Sequence, residues 1–164
     1  MKSGIAAFLA ISSVLSAQPM NPEFHYTIFI ARPATEVWSA LTEKKMIDRF
    51  YMAPVHTLEL RKGGKISYGS EAEVITGTIS VLEAPKTLVH SFVFAGSDDP
   101  ETFVAYEIEA IGELMCSLTI SHTGFRAEDQ TFANITGGWP VIASSLKTLL
   151  ETGRGLPWPK NDAP

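Results

Sequence analysis

The sequence predicts an α+β domain: a curved antiparallel sheet of about six strands, with two short helices after the first strand, wrapped around one long C-terminal helix. Three observations carry this. Between Leu58 and His122, short apolar runs of period two recur with turn residues between them. Two helical stretches stand in tandem between Pro33 and Phe50. The last third leaves a strand at His122-Thr123-Gly124-Phe125 and runs through Gly137-Gly138-Trp139-Pro140 into an amphipathic stretch from Val141 to Glu151.

Taken in order, Phe24 to Ala31 is rich in aromatic and β-branched residues and reads as the first strand. Pro33 ends it and suits the first turn of a helix whose apolar face is Val37, Trp38 and Leu41. Lys44 to Phe50 forms the second helix, closing on the pair Phe50-Tyr51. Leu58 and Leu60, the turn Lys62-Gly63-Gly64, and Ile66 and Tyr68 read as a hairpin. Four further strands follow, Val74 to Leu82, Leu88 to Phe94, Phe103 to Ile111 and Leu114 to His122. In the terminal helix, Trp139, Ile142, Leu146 and Leu149 step by three and four, and Gly153 stops it. Pro140 either begins this helix or kinks a longer one starting near Phe132, and the sequence allows both.

At 164 residues and 45% hydrophobic content, the chain can bury one sizeable core and is too short for two ordinary domains. The domain spans residues 22–153, and residues 154–164 form an irregular tail. A net charge of -5 with no basic stripe argues against nucleic acid. The lone cysteine, Cys116, lies in an alternating apolar run and reads as a buried, inert thiol. Residues 1–18 read as a signal peptide or N-terminal extension: Lys2, apolar residues from Gly4 to Leu15, then Ser16-Ala17. That stretch is too short for a stable membrane span. It implies export to the periplasm or outside, although Leu15 is large for its place before a cut after Ala17. If Met20 is the true start, the protein is cytoplasmic.

Several motifs in this order resemble the START-like (SRPBCC, Bet v 1-like helix-grip) superfamily, in the branch named for the activator of Hsp90 ATPase homologue. They are Ala31-Arg32-Pro33-Ala34-Thr35-Glu36-Val37-Trp38-Ser39-Ala40-Leu41, Leu60-Arg61-Lys62-Gly63-Gly64, Gly77 to Leu88, Leu118 to Phe125, and Gly138-Trp139 with Leu146 to Gly153. The resemblance implies the helix-grip fold and a cavity between sheet and long helix, used across the superfamily for lipids, polyketides and other hydrophobic molecules. An Hsp90 partner is disfavoured, because that role belongs to a eukaryotic protein with additional sequence. An export signal would disfavour it further.

Period two gives the candidate site. His90 and Phe92, then Val104, Tyr106 and Ile108, then Leu118, Ile120 and His122 share one face, because the opposite face carries Glu107, Glu109, Ser117, Thr119 and Ser121. Pairing is expected to set Tyr106 opposite His90 and Ile120, and Val104 opposite Phe92 and His122. The two histidines then stand roughly 10 Å apart, one residue pair out of step, too far to share an ion. His25 and His56 form no HxH, HxxxH or HExxH pair with them, so no metal and no cofactor are expected. An apolar wall bearing two imidazoles and phenols fits a small hydrophobic or amphiphilic ligand, lined by Tyr68, His90, Phe92, Tyr106, His122, Trp139 and Ile142.

Bland readings stand beside this one. Trp38 and Trp139 also serve as core anchors, and His122, at the turn out of the sheet, reads as structural. His90, in mid-strand, is open between the two. A cyclase- or hydratase-type enzyme using His90, Tyr106 or His122 as acid or base is the alternative, and an interaction module with a filled cavity is the third. No GxSxG serine and no inward pair of carboxylates supplies other catalytic machinery.

Overall fold

The computed structural model of the protein describes residues 21–158. The export signal read in residues 1–18 lies outside them, as does the end of the tail. Alternation builds the sheet: along Thr102–Ala110, Thr102, Val104, Tyr106 and Ile108 are buried, while Phe103, Glu107 and Glu109 are exposed. The elements are β1 (Phe24–Ile30), α1 (Ala34–Thr42), α2 (Lys44–Phe50), β2 (Val55–Leu58), β3 (Lys65–Tyr68), β4 (Ile75–Glu83), β5 (Thr87–Phe94), β6 (Thr102–Ala110), β7 (Cys116–Thr123) and α3 (Gln130–Thr152). All pairs are antiparallel, in the order β1-β7-β6-β5-β4-β3-β2. Helix α3 buries Ile135, Trp139, Ile142, Leu146 and Leu149. This is the predicted α+β helix-grip architecture.

Three details differ from the sequence reading. The sheet has seven strands rather than about six, since both arms of the β2–β3 hairpin count. The first arm is Val55–Leu58, with Leu60 outside it and 45% exposed. A turn in which Arg61 N donates to Glu59 O (2.8 Å) lifts Leu60 out of the ladder. Strand β7 begins at Cys116 and not Leu114, because the turn through Gly112 closes with Ile111 N donating to Met115 O (2.8 Å), leaving Leu114 76% exposed. Cys116 is buried, and burial pushes its thiol pKa up.

The β6–β7 register is the expected one, with Val104 opposite His122 and Tyr106 opposite Ile120. Between β5 and β6 the pairing is two residues from expectation: Val104 faces His90 and Tyr106 faces Leu88. A slip of two keeps every side chain on its face. It brings His90 and His122 level, one on each side of Val104.

Helix α3 starts at Gln130, so Pro140 lies within it. Its first turn is capped from a distant loop, where Asp99 Oδ2 accepts from both the N–H and the hydroxyl of Thr131 (2.7 Å each). The other half is latched to the end of β1. Lys147 donates to Phe29 O (2.8 Å), Ala31 N to Glu151 Oε1 (2.8 Å) and Arg32 Nε to Leu150 O (2.7 Å). Gly153, with φ of 85°, closes the helix as its N–H bonds Leu149 O (2.8 Å). The chain beyond is irregular through residue 158, although Leu156 N donates to Ser145 Oγ (3.1 Å). No described helix is long and apolar enough to cross a membrane.

Candidate functional site

The inner wall carries the predicted face: His90, Phe92, Val104, Tyr106, Ile108, Leu118, Ile120 and His122 are all buried. The two imidazoles on it have opposite fates. Trp139 Nε1–H donates to His122 Nδ1 (3.0 Å), so that nitrogen is the acceptor. The proton therefore sits on Nε2, which donates to Thr102 Oγ1 (2.8 Å), and the Thr102 hydroxyl donates to Phe92 O (3.0 Å). Both nitrogens are in use. Burial first, and then His90, hold the pKa of His122 down at about 3. A second proton would also confront the indole N–H. This side chain joins α3 to the sheet and has no free nitrogen for acid or base chemistry.

His90 is half satisfied. Its Nδ1 lies 2.7 Å from Ser91 O, and since a carbonyl only accepts, Nδ1 carries the proton. That leaves Nε2 as a bare lone pair, buried and without a partner. Burial outweighs the Ser91 hydrogen bond and pulls the pKa down to about 4, so the ring is neutral at physiological pH.

Around it stands an aromatic layer. Tyr106 lies 6.0 Å from His90 between ring centroids, and edge-on to Trp139 at 5.9 Å. Tyr51, just past the end of α2, stacks on Tyr68 of β3 at 4.4 Å and meets Trp139 at 6.3 Å. Burial raises the pKa of all three phenols; Tyr68 adds to the rise at Tyr51, and Tyr68 and Tyr51 add to it at Tyr106. They remain neutral hydroxyls.

A pocket of about 230 Å³ lies between the sheet and the N-terminal half of α3. Phe92, Trp139 and Ile142 line it, together with Tyr51, Ile75 and Ile135, and its rim is Met52, Phe94, Asn134 and Gly138. Of the residues predicted to meet a ligand, Phe92, Trp139 and Ile142 thus border the pocket. Tyr68, His90 and Tyr106 sit in the layer behind it, and His122 is tied into the Thr102–Trp139 chain. Sequence reasoning passed over the others. Phe94 was accessible, since it continues the His90–Phe92 alternation. Ile135 was hidden by the open start of the helix, because only a helix running back past Phe132 puts it one turn before Trp139.

Among the described residues, no three His, Cys, Asp or Glu side chains gather as a metal site. His25 lies on the outer face, between Ser121 Oγ (3.0 Å) and Glu23 (3.1 Å).

Known structures share this fold. CalU16 from Micromonospora echinospora is similar at 24% identity over 80% of this chain and 77% of that one, with a TM-score of 0.67. An HSP90 activator from Plasmodium falciparum is similar at 19% identity over 79% and 96%, with a TM-score of 0.70. The Aha1 protein of Colwellia psychrerythraea, solved as a dimer, is similar at 18% over 82% and 99%, also at 0.70. At such identities the likeness is one of fold alone. No curated protein sequence matches the chain. Residues 31–151, from the end of β1 almost to the end of α3, match the family described as Activator of Hsp90 ATPase homolog 1-like protein, and the chain belongs to that family within the START-like superfamily.

Proposed function

We propose that this protein binds a small, largely apolar molecule between its sheet and the N-terminal half of α3. The observation that supports this reading is the pocket of about 230 Å³ walled by Ile75, Phe92, Ile135, Trp139 and Ile142. A concave, mostly apolar site with a few polar groups is what small-molecule recognition uses. The volume falls below the roughly 300–1,000 Å³ of sites for drug-sized ligands, which points to a compact occupant.

Gly138 supplies the test. It lines the pocket, and a Cβ built on it meets only Met52 Cε, at 4.0 Å. Gly138→Leu adds its side chain at the pocket wall from a Cβ that meets no backbone atom of another element, and it also replaces a helix-interior glycine that costs about 0.5–1 kcal/mol. Titration of the full chain with 2-methylnaphthalene is expected to shift the methyl resonances of Ile75, Ile135 and Ile142 saturably in the wild type. The variant is expected to lose those shifts and to unfold at an equal or higher denaturant concentration. Wild-type resonances that never saturate, or shifts that survive in Gly138→Leu, would remove the pocket from consideration.

A further inference from the structure

Among the polar side chains that line the pocket, the Trp139 N–H is committed to His122 and Asn134 stands exposed at the rim. Tyr51 is the one left in the buried wall, at 7% exposed. Its place is set from several sides. Its N–H closes α2 on Ile47 O (2.9 Å), its ring stacks on Tyr68 at 4.4 Å, and Phe50 and Trp139 each meet it edge-on at 6.3 Å.

The hydroxyl of this ring has no protein partner. No hydrogen bond joins it to a described residue, yet it is not sealed in as His90 Nε2 and Trp158 Nε1 are, the two partnerless side-chain atoms buried outright. The Tyr51 oxygen therefore keeps accessible surface, on a residue that borders the pocket. Burial raises its pKa, so at neutral pH the group is an intact O–H. A phenol bonds better through that proton than through its oxygen, whose lone pair is drawn into the ring. An occupant that is apolar where it covers this hydroxyl leaves the donor unmade, and one that presents an acceptor satisfies it. No charged side chain lines the pocket, so a carboxylate held there would be desolvated without a counter-charge.

We propose that the molecule held in the pocket presents an uncharged acceptor, of the ketone or ester carbonyl kind, to the hydroxyl of Tyr51. This rests on the pocket reading above and names the ligand class: compact, neutral, apolar over most of its surface, and bearing a carbonyl-type oxygen. Tyr51 is the residue that selects for that oxygen. Tyr68, which does not border the pocket, serves by stacking on the ring and holding it in place.

Three probes test it in the full chain at neutral pH. They are 2-acetylnaphthalene, 2-naphthoate, and 2-isopropenylnaphthalene, which has the shape of the ketone with a methylene in place of its oxygen. Calorimetric titration is expected to rank the ketone about five- to tenfold tighter than the alkene, the worth of one hydrogen bond, with 2-naphthoate weakest. Tyr51→Phe removes the hydroxyl and keeps the ring. It is expected to bind the alkene within about twofold of the wild type and to bring the ketone within about twofold of the alkene. In carbon NMR of tyrosine-labelled wild-type protein, the Cζ resonance of Tyr51 is expected to move further with the ketone than with the alkene. A ketone preference that survives in Tyr51→Phe overturns this inference and leaves the pocket reading standing. So does equal affinity for ketone and alkene with the Cζ resonance answering both alike, and so does 2-naphthoate binding as tightly as the ketone. If neither neutral probe binds, both readings fall. The Cζ measurement uses only the wild type, so it decides the matter even where Tyr51→Phe does not fold.

Discussion

Two histidines on one wall, level with each other across Val104, show how far a residue's role depends on its partners. His122 is bonded at both nitrogens by side chains from positions 102 and 139, and His90 at one nitrogen by its own neighbour, Ser91. The alternation of β5 and β7 put both imidazoles on the inner face. It could not say which would be satisfied, because Thr102 and Trp139 reach His122 only through the β6–β7 pairing and the docking of α3. Thr102→Val isolates that contribution. Valine keeps the shape and the burial but removes the acceptor of His122 Nε2–H, leaving a buried donor unmade. A loss of about 1–3 kcal/mol in urea-unfolding stability is expected. A change within about 0.5 kcal/mol, the range of an ordinary surface substitution, would mean that the Thr102–His122 bond contributes nothing measurable to stability.

At the scale of elements, α3 was the least legible part of the sequence. Gly137-Gly138 followed by Pro140 argues locally against a helix, since glycine is a poor helix former and Pro140 cannot donate to Thr136 O. What overrides this is tertiary: the Asp99 cap at the first turn and the buried side chains of Ile135 and Trp139. Side-chain hydroxyls of Thr136, Ser144, Thr148 and Thr152 bond back to the carbonyls four residues earlier, a pattern that tends to bend helices. The polar ties differ between the ends, with three latches to β1 near the C-terminal end, and the Asp99 cap and the Trp139–His122 bond in the other half. The weakly propensed half is also the half that walls the pocket. Gly137→Ala measures that weakness apart from binding. A Cβ there meets nothing within 4 Å, and Gly137 does not line the pocket. The substitution is expected to raise stability by about 0.5–1 kcal/mol, read from the denaturation midpoint, with probe affinity unchanged. A fall in stability would show that this turn needs the freedom of glycine.

For the whole molecule, the two buried imidazoles make acid sensitivity a property of the fold. Both titrate near 6.5 in an unfolded chain, and in the folded protein they are held at about 4 and about 3. Between those values the unfolded chain binds protons that the native state refuses. Their contribution to stability is therefore complete above about pH 6.5 and drains away as the pH falls. Well inside the window each histidine removes on the order of 1 kcal/mol per pH unit, and His90 stops contributing before His122 does. Carboxylates held low by their partners, Asp99 by Thr131 and Glu151 by Ala31 and Lys147, add their losses only at more acid pH. The expected record is a denaturation midpoint that declines steadily from about pH 6 to pH 4.5, before the carboxylates protonate. His90→Phe deletes one of the two titrations and leaves an apolar ring in its place, so the decline should flatten to about half its wild-type slope over that interval. Equal slopes in variant and wild type would remove His90 from the origin of the acid sensitivity. The imidazole behind the pocket would then no longer account for it.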